Sequence, residues 1–181
     1  LANDRRMMVV TLSGKFLTQR EYPRLALVTP TVKNGMVTLS APNFDALQFG
    51  IQSTGTPTPV EVWKSKDVSA IDQGEESAQW LSDWLGVSVR LVHVADGFKR
   101  KVNPEYAVHA DDHTGFADGY PILIISEESL QDLNSKLDSA VPMNRFRPNI
   151  VIRGCEPFAE ETWKRIRIGS VEMALVKPYT R

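Results

Sequence analysis

Asn34-Gly35 stands between two β-branched runs, "RLALVTPTV" (24–32) and "MVTLSAP" (36–42). Asn-Gly tolerates the two positive φ angles of a tight hairpin loop, so this dipeptide predicts two antiparallel strands at a fixed register. The pattern recurs on both sides. "RRMMVVTL" (5–12) meets Ser13-Gly14 and then "KFLTQRE" (15–21), and "VEVWKSKDVSAI" (60–71) reads as a further strand pair beyond a Gly/Thr/Pro-rich connector between Gly50 and Pro59. A chain that spends its first third on short paired strands is not the alternating strand–helix pattern of a doubly wound sheet.

Helical spacing first occurs in "DQGEESAQWLSDWLG" (72–86), where Ala78, Leu81, Trp84 and Leu85 share a face and Gly86 can end the helix. "VSVRLVHVA" (87–95) returns to strand. The polar stretch Asp96–Asp118 reads as a long loop and the best internal boundary, giving regions 1–97 and 98–181. Beyond it come the apolar strand "GYPILIIS" (119–126) and a helix with Ser126 as N-cap and Leu130, Leu133 and Leu137 as its buried stripe. A buried strand at Asn149–Ile152 and the hairpin "WKRIRIGSVEMALVKP" (163–178) complete the pattern. The order favours a β-rich α+β fold with barrel-like parts.

Net charge is -1, which gives no broad electrostatic case for nucleic acid. "KRK" (99–101), the densest basic run, reads as a solvated loop. The single cysteine, Cys155, rules out an internal disulfide and favours a reducing compartment. No apolar run reaches the length of a membrane span, and "LANDRR" is too polar for a signal peptide. These features fit a bacterial cytoplasm, although the abrupt start suggests a fragment whose truncation would hide a leader.

Chemistry-bearing clusters are few. His109 and His113 flank Asp111 and Asp112, but Pro104 and Thr114-Gly115 argue for a polar loop over a metal-binding helix. His93 sits in an apolar run and reads as a satisfied core or edge histidine, and Cys155 as a buried, inert thiol. Arg147 precedes Pro148, which pushes it toward extended backbone, and Asn149 follows. A guanidinium fork beside an amide suits a heterocycle edge or a phosphate; it suits equally an arginine–carboxylate pair that locks a loop. Arg5, beside Asp4, is by itself a routine surface arginine. Gly119-Tyr120-Pro121 offers either N–H groups to an anion or a plain turn.

Three segments together carry a resemblance: "DRRMMVVTLSGKFLTQREYPRLALVTP", "FADGYPILIISEESLQDLN" and "NRFRPNIVIRGCEPFAEETWKRIRIGSVEMALVKP". In order and spacing the chain resembles the MOSC-domain proteins, nearest the mitochondrial amidoxime reducing component group and its bacterial relatives. The resemblance implies a β-barrel-like MOSC N-terminal region followed by the first part of a MOSC β-barrel domain. It implies a molybdenum cofactor (molybdopterin), reduction of N-hydroxylated compounds such as amidoximes and hydroxylamines, and electrons from a separate flavin, iron–sulfur or cytochrome b5-type reductase. Pyridoxal phosphate binding is a further family-level association. The alternative is a non-catalytic molybdenum-cofactor or sulfur-carrier module.

Family cofactor positions carry over to Arg5, Gly119, Tyr120, Arg147, Asn149, Thr180 and Arg181. Eukaryotic relatives place hydroxyls at the two positions before the proline, where this chain has Gly119 and Tyr120. The family's metal-ligand cysteine would be the residue after "KPYTR", and the chain stops at Arg181. Cys155 matches a different cysteine. The resemblance therefore leads to the expectation that these 181 residues alone lack the metal and are inactive.

Overall fold

In the computed structural model, which describes residues 3–178, the chain divides into two compact units. One comprises Leu1–Arg100 with Gly115–Asp118; the other comprises Lys101–Thr114 with Gly119–Arg181. The architecture is β-rich with two α-helices, as the sequence pattern implied.

The first unit runs through β1 (Met7–Thr11), β2 (Thr29–Lys33), β3 (Met36–Ala41), β4 (Phe44–Gly50), β5 (Thr58–Val62), β6 (Ser65–Asp72), α1 (Glu75–Leu85) and β7 (Val89–Val94). Two antiparallel sheets result, ordered β2-β3-β4 and β1-β7-β6-β5. Asn34 and Gly35 take φ values of 51° and 75° and join β2 to β3, as their chemistry requires. Two expectations fail locally. Residues after Ser13-Gly14 form no full strand: Phe16 bridges Val10, while Lys15 bridges Glu61 of β5. Gly14 permits this double contact, since a Cβ there would stand 2.9 Å from the Pro59 carbonyl oxygen. The start of "RLALVTPTV" winds into a 3-10 turn, Pro23–Leu27, because Pro23 presets a helical φ at its first turn.

Strand alternation buries both faces of the four-stranded sheet. Val9 and Leu91 face one cluster with Leu81 of α1 and Val37 of β3. Val10, Val68 and Val92 face a second cluster, which Phe116 of the returning segment helps cover. Helix α1 forms where its spacing places it, with Ala78, Leu81 and Trp84 buried and Gly86 closing it in the left-handed conformation. Both indoles anchor it: Trp80 Nε1 donates to the Asp45 carbonyl at 2.6 Å and Trp84 Nε1 to the Arg24 carbonyl at 3.0 Å. Leu81 is 1% exposed, and its truncation to alanine costs about 2–5 kcal/mol. The helix entry is set by Asp72, whose carboxylate accepts the Gly74 N–H at 2.7 Å and two Arg90 N–H groups at 2.7 Å each.

Two-residue strands β8 (Arg100–Lys101) and β9 (His113–Thr114) pair as the chain leaves the first unit. The second unit then contains β10 (Ile124–Ser126), α2 (Glu127–Ser135), β11 (Ile150–Ile152), β12 (Arg165–Ile168) and β13 (Val171–Ala174). β10 and β11 are parallel, with α2 as part of their crossover, and β12–β13 is the expected hairpin. Ser126 caps α2 as expected, its Oγ accepting the Ser129 N–H at 3.0 Å.

The expected leucine stripe is only partial. Leu130 and Leu133 are half-buried, but α2 ends at Ser135, and Leu137 lies past it at 41% exposure. The tightest burial on α2 is polar: Ser129 donates to Glu160, which also accepts the Ser126 N–H. β11 is likewise not a buried strand. Val151 is 46% exposed, because a two-stranded sheet leaves one edge of each strand uncovered.

Candidate functional site

The second unit brings three distant sequence segments together. Asn149 holds Leu123 by both main-chain groups: its Oδ1 accepts the Leu123 N–H at 2.9 Å, and its own N–H donates to the Leu123 carbonyl at 2.9 Å. The Ile150 N–H shares that carbonyl at 3.1 Å, which starts the β10–β11 ladder. Leu123 is thereby fixed beside Asn149. The asparagine's oxygen thus has a structural task that spacing alone did not reveal.

Arg147 departs from the extended conformation that Pro148 favours. Its φ is 55°, in the left-handed region. Successive turn bonds, Arg145 N–H to Pro142, Phe146 N–H to Met143 and Arg147 N–H to Asn144, wind the chain up to this point. A left-handed residue then turns it out toward β11. For a non-glycine residue that conformation costs about 1–2 kcal/mol, a cost the fold tolerates at an exposed guanidinium.

On the other side of the 119–123 segment stand two tyrosines and a lysine. Half-buried Tyr120 meets Tyr106 edge-on with ring centroids 6.2 Å apart, and Lys177 Nζ lies 5.2 Å from the Tyr106 ring centroid. The hydrogen bond to Glu105 pushes the Tyr106 phenol up, and burial pushes Tyr120 up, so both stay protonated donors at neutral pH. Gly119 has no atom within 4 Å of where a Cβ would stand and no left-handed φ, so glycine is not sterically required there.

Arg5 lies in the first unit. Its φ is 52°, its Nε stands 3.6 Å from Asp4 Oδ2, and its side chain is 27% exposed, less open than a routine surface arginine. Its carbonyl accepts the Phe116 N–H at 2.9 Å. Gly115 is required by this approach, since a Cβ there would lie 2.8 Å from the Arg5 carbonyl oxygen. Thr180 and Arg181 lie outside the described residues.

Arg100 is the residue that sequence reasoning missed. The "KRK" run is not simply a solvated loop: the Arg100 guanidinium is half-buried and binds the Gly115 carbonyl at 2.9 Å, Ser65 Oγ at 3.1 Å, the Asp118 carbonyl at 3.3 Å and the Ala117 carbonyl. Burial pushes its pKa down. A signal was present, because Phe98, Arg100 and Val102 alternate on one side of an extended segment and Val102 is buried.

The Asp112 carboxylate accepts the Val108 and His109 N–H groups in a turn, and His113 Nδ1 lies 3.0 Å from the Asp111 carbonyl. Among the described residues no cluster of three or more His, Cys, Asp or Glu side chains could hold a metal ion. His93 is 3% exposed in β7, but it is not satisfied as expected, since its buried Nδ1 has no hydrogen-bond partner among the described residues; Cys155 is half-buried rather than buried and stands 3.9 Å from Glu128. No helix among the described residues is long and apolar enough to cross a membrane.

Comparison with known proteins bears on the family of the chain. Residues 1–88 match the family described as the MOSC N-terminal beta barrel domain, and residues 111–181 match the MOSC domain. Mitochondrial amidoxime-reducing component 1 of Danio rerio is 38% identical over 178 residues, covering 96% of this chain and 54% of that protein. The Homo sapiens component 1 is 36% identical over 185 residues, covering 98% of this chain and 54% of that protein. A solution structure of a Bordetella bronchiseptica protein is 27% identical, with a TM-score of 0.46, over 54% of this chain and 77% of that one. The chain spans about half the length of the curated relatives it matches.

Proposed function

This chain belongs to the MOSC-domain proteins related to the amidoxime-reducing components, and from that premise we propose that its complete gene product is a molybdenum-cofactor oxidoreductase acting on N-hydroxylated compounds. One observation in the second unit supports the reading. The Asn149–Leu123 grip ties the segment that follows Tyr120 to the strand that follows Arg147, and Tyr106 links Tyr120 to Lys177. Guanidinium, ammonium, phenol and backbone N–H groups are donors, and such a set fits a phosphate-bearing pterin. Arg147, Asn149, Tyr120 and the Gly119 N–H would hold the cofactor. Arg5 enters this reading through the family motif alone.

When bound, the cofactor supplies two-electron chemistry at molybdenum. The overall change is R–NHOH + 2 e⁻ + 2 H⁺ → R–NH2 + H2O, with the electrons delivered by a separate reductase. The protein's part is orientation and charge. Arg147 and Lys177 would offset the phosphate's charge, and the protonated Tyr120 phenol would donate a hydrogen bond without competing for protons. The ladder that starts at Asn149 fixes that residue before anything binds, which supports its part in the reading.

The test is turnover of an amidoxime by the complete gene product, loaded with molybdenum cofactor and driven by a chemically reduced viologen. The expected result is stoichiometric amidine. A loaded protein that produces none would shift the assignment to a cofactor-carrier module.

A further inference from the structure

The first unit carries an open pocket of about 500 Å3 lined by Phe16, Trp63, Lys64, Ser65, Arg100 and Asp118. None of these residues is used by the cofactor reading. Two features of the pocket serve the fold poorly, and together they describe a ligand.

The first is Trp63. It opens the two-residue loop between β5 and β6, where Val62 faces Ser65, and its φ is 53°. Of the two loop residues it alone has a positive φ, a position that favours glycine, and a bulky aromatic there is an outlier. It is also 51% exposed. Its ring leans on Phe16 with centroids 4.7 Å apart and planes at 54°, which leaves a broad aromatic wall toward the pocket. Strain and exposure at one tryptophan are what a stacking platform requires and what a folding nucleus avoids.

The second feature is the charge. The four hydrogen bonds of Arg100 go to three carbonyls and the Ser65 hydroxyl, and none goes to a carboxylate. Among the described residues it forms no ion pair. Five N–H donors with four bonds leave one donor, on Nη1 beside Ser65. Lys64 adds a second cation and Asp118 one carboxylate, so the lining carries a net charge of one positive unit. Burial works against the Arg100 charge; the Asp118 carboxylate offsets part of that, and a bound anion would relieve it further.

We propose that this pocket binds a planar aromatic carboxylate, its ring against Trp63 and Phe16 and its carboxylate toward Lys64 and the remaining Nη1 donor of Arg100. A single negative charge matches the net positive lining, whereas a doubly charged aryl phosphate would meet repulsion from Asp118.

The test uses the 181-residue chain and amide and indole NMR spectra. Three probes share one ring: 1-naphthoate, 1-naphthylmethanol and 1-naphthylmethylammonium. The Trp63 indole signal is identified by its loss in Trp63→Gly, a substitution the loop geometry welcomes. Naphthoate shifts the Trp63 indole and the Ser65 amide saturably, and binds roughly tenfold more tightly than the alcohol, as one charge-assisted hydrogen bond dictates. Lys64→Glu, at an exposed loop position, weakens naphthoate by a similar factor and leaves the alcohol unchanged. Equal affinity for naphthoate and the alcohol, preference for the ammonium, or no saturable shift with naphthoate would each overturn the proposal. The outcome does not depend on cofactor loading, so it stands apart from the test of the oxidoreductase reading.

Discussion

Asn149 binds Leu123 through both its side-chain oxygen and its main-chain N–H, at 2.9 Å each, and this double contact registers β10 against β11. Asn149→Ala leaves the half-buried Leu123 N–H without its acceptor. The expected loss is about 1–2 kcal/mol, read as a lowered urea midpoint with an unchanged m-value. Asn149→Asp retains an acceptor oxygen and should recover most of that loss. An alanine variant as stable as the parent would remove Asn149 from the framework of the site.

Arg147 presents the opposite case. It is an exposed residue with a left-handed backbone, a conformation that glycine adopts without the cost a side chain carries. Arg147→Gly should be neutral or up to about 1 kcal/mol stabilising, while Arg147→Val should destabilise by about 1–2 kcal/mol, since β-branching penalises positive φ. Thermal melts of the two variants decide this, and the sign of the difference between them is the informative quantity.

The pH dependence of the first unit should carry the signature of Asp72. Hydrogen bonds from Arg90 hold its carboxyl below the ordinary value of 3.8. A carboxylate whose folded pKa is depressed contributes stability above 3.8 that disappears as pH falls through the lower folded value. Asp72→Asn should therefore cost about 1 kcal/mol at neutral pH, a modest figure because the pair is partly solvated. The gap from the parent should close in strong acid. Urea melts at neutral pH and below pH ~3 measure both ends; a gap that persists in acid would assign the effect to shape rather than charge.

Much of the first unit was legible because its signals are local. Asn34-Gly35 could hardly do anything but turn, and Ala78, Leu81 and Trp84 shared a face at helical spacing whatever lay opposite. The failures came where partners are distant. Lys15 reaches Glu61, so the expected partner strand of β1 dissolves into bridges. Arg147 obeys the turn behind it more than the proline ahead of it. Leu137 fits the stripe by spacing, yet α2 stops at Ser135. At the candidate site, the family pattern named Arg147, Asn149 and Tyr120 without explaining their arrangement. Leu123 pairs with Asn149, and Tyr106 packs on Tyr120 with Lys177 over its own ring; no spacing rule connects residues so far apart in sequence. Arg100 was hidden by its basic neighbours, although its parity with Phe98 and Val102 pointed inward.

The most direct measurement is pterin retention by the complete gene product with Arg147 changed to glycine. That substitution removes the guanidinium with its contacts and keeps the left-handed turn, and the melt measured beside it reports what those contacts add to folding. Protein purified from a host that makes molybdenum cofactor is oxidised, and the released fluorescent pterin is measured per mole of protein alongside a melt. The parent should carry pterin, and the glycine variant should lose most of it, in line with roughly ten- to hundredfold weaker affinity for a phosphate, while melting no earlier. Parental pterin content in an intact Arg147→Gly protein would contradict the assignment of this cluster to the cofactor.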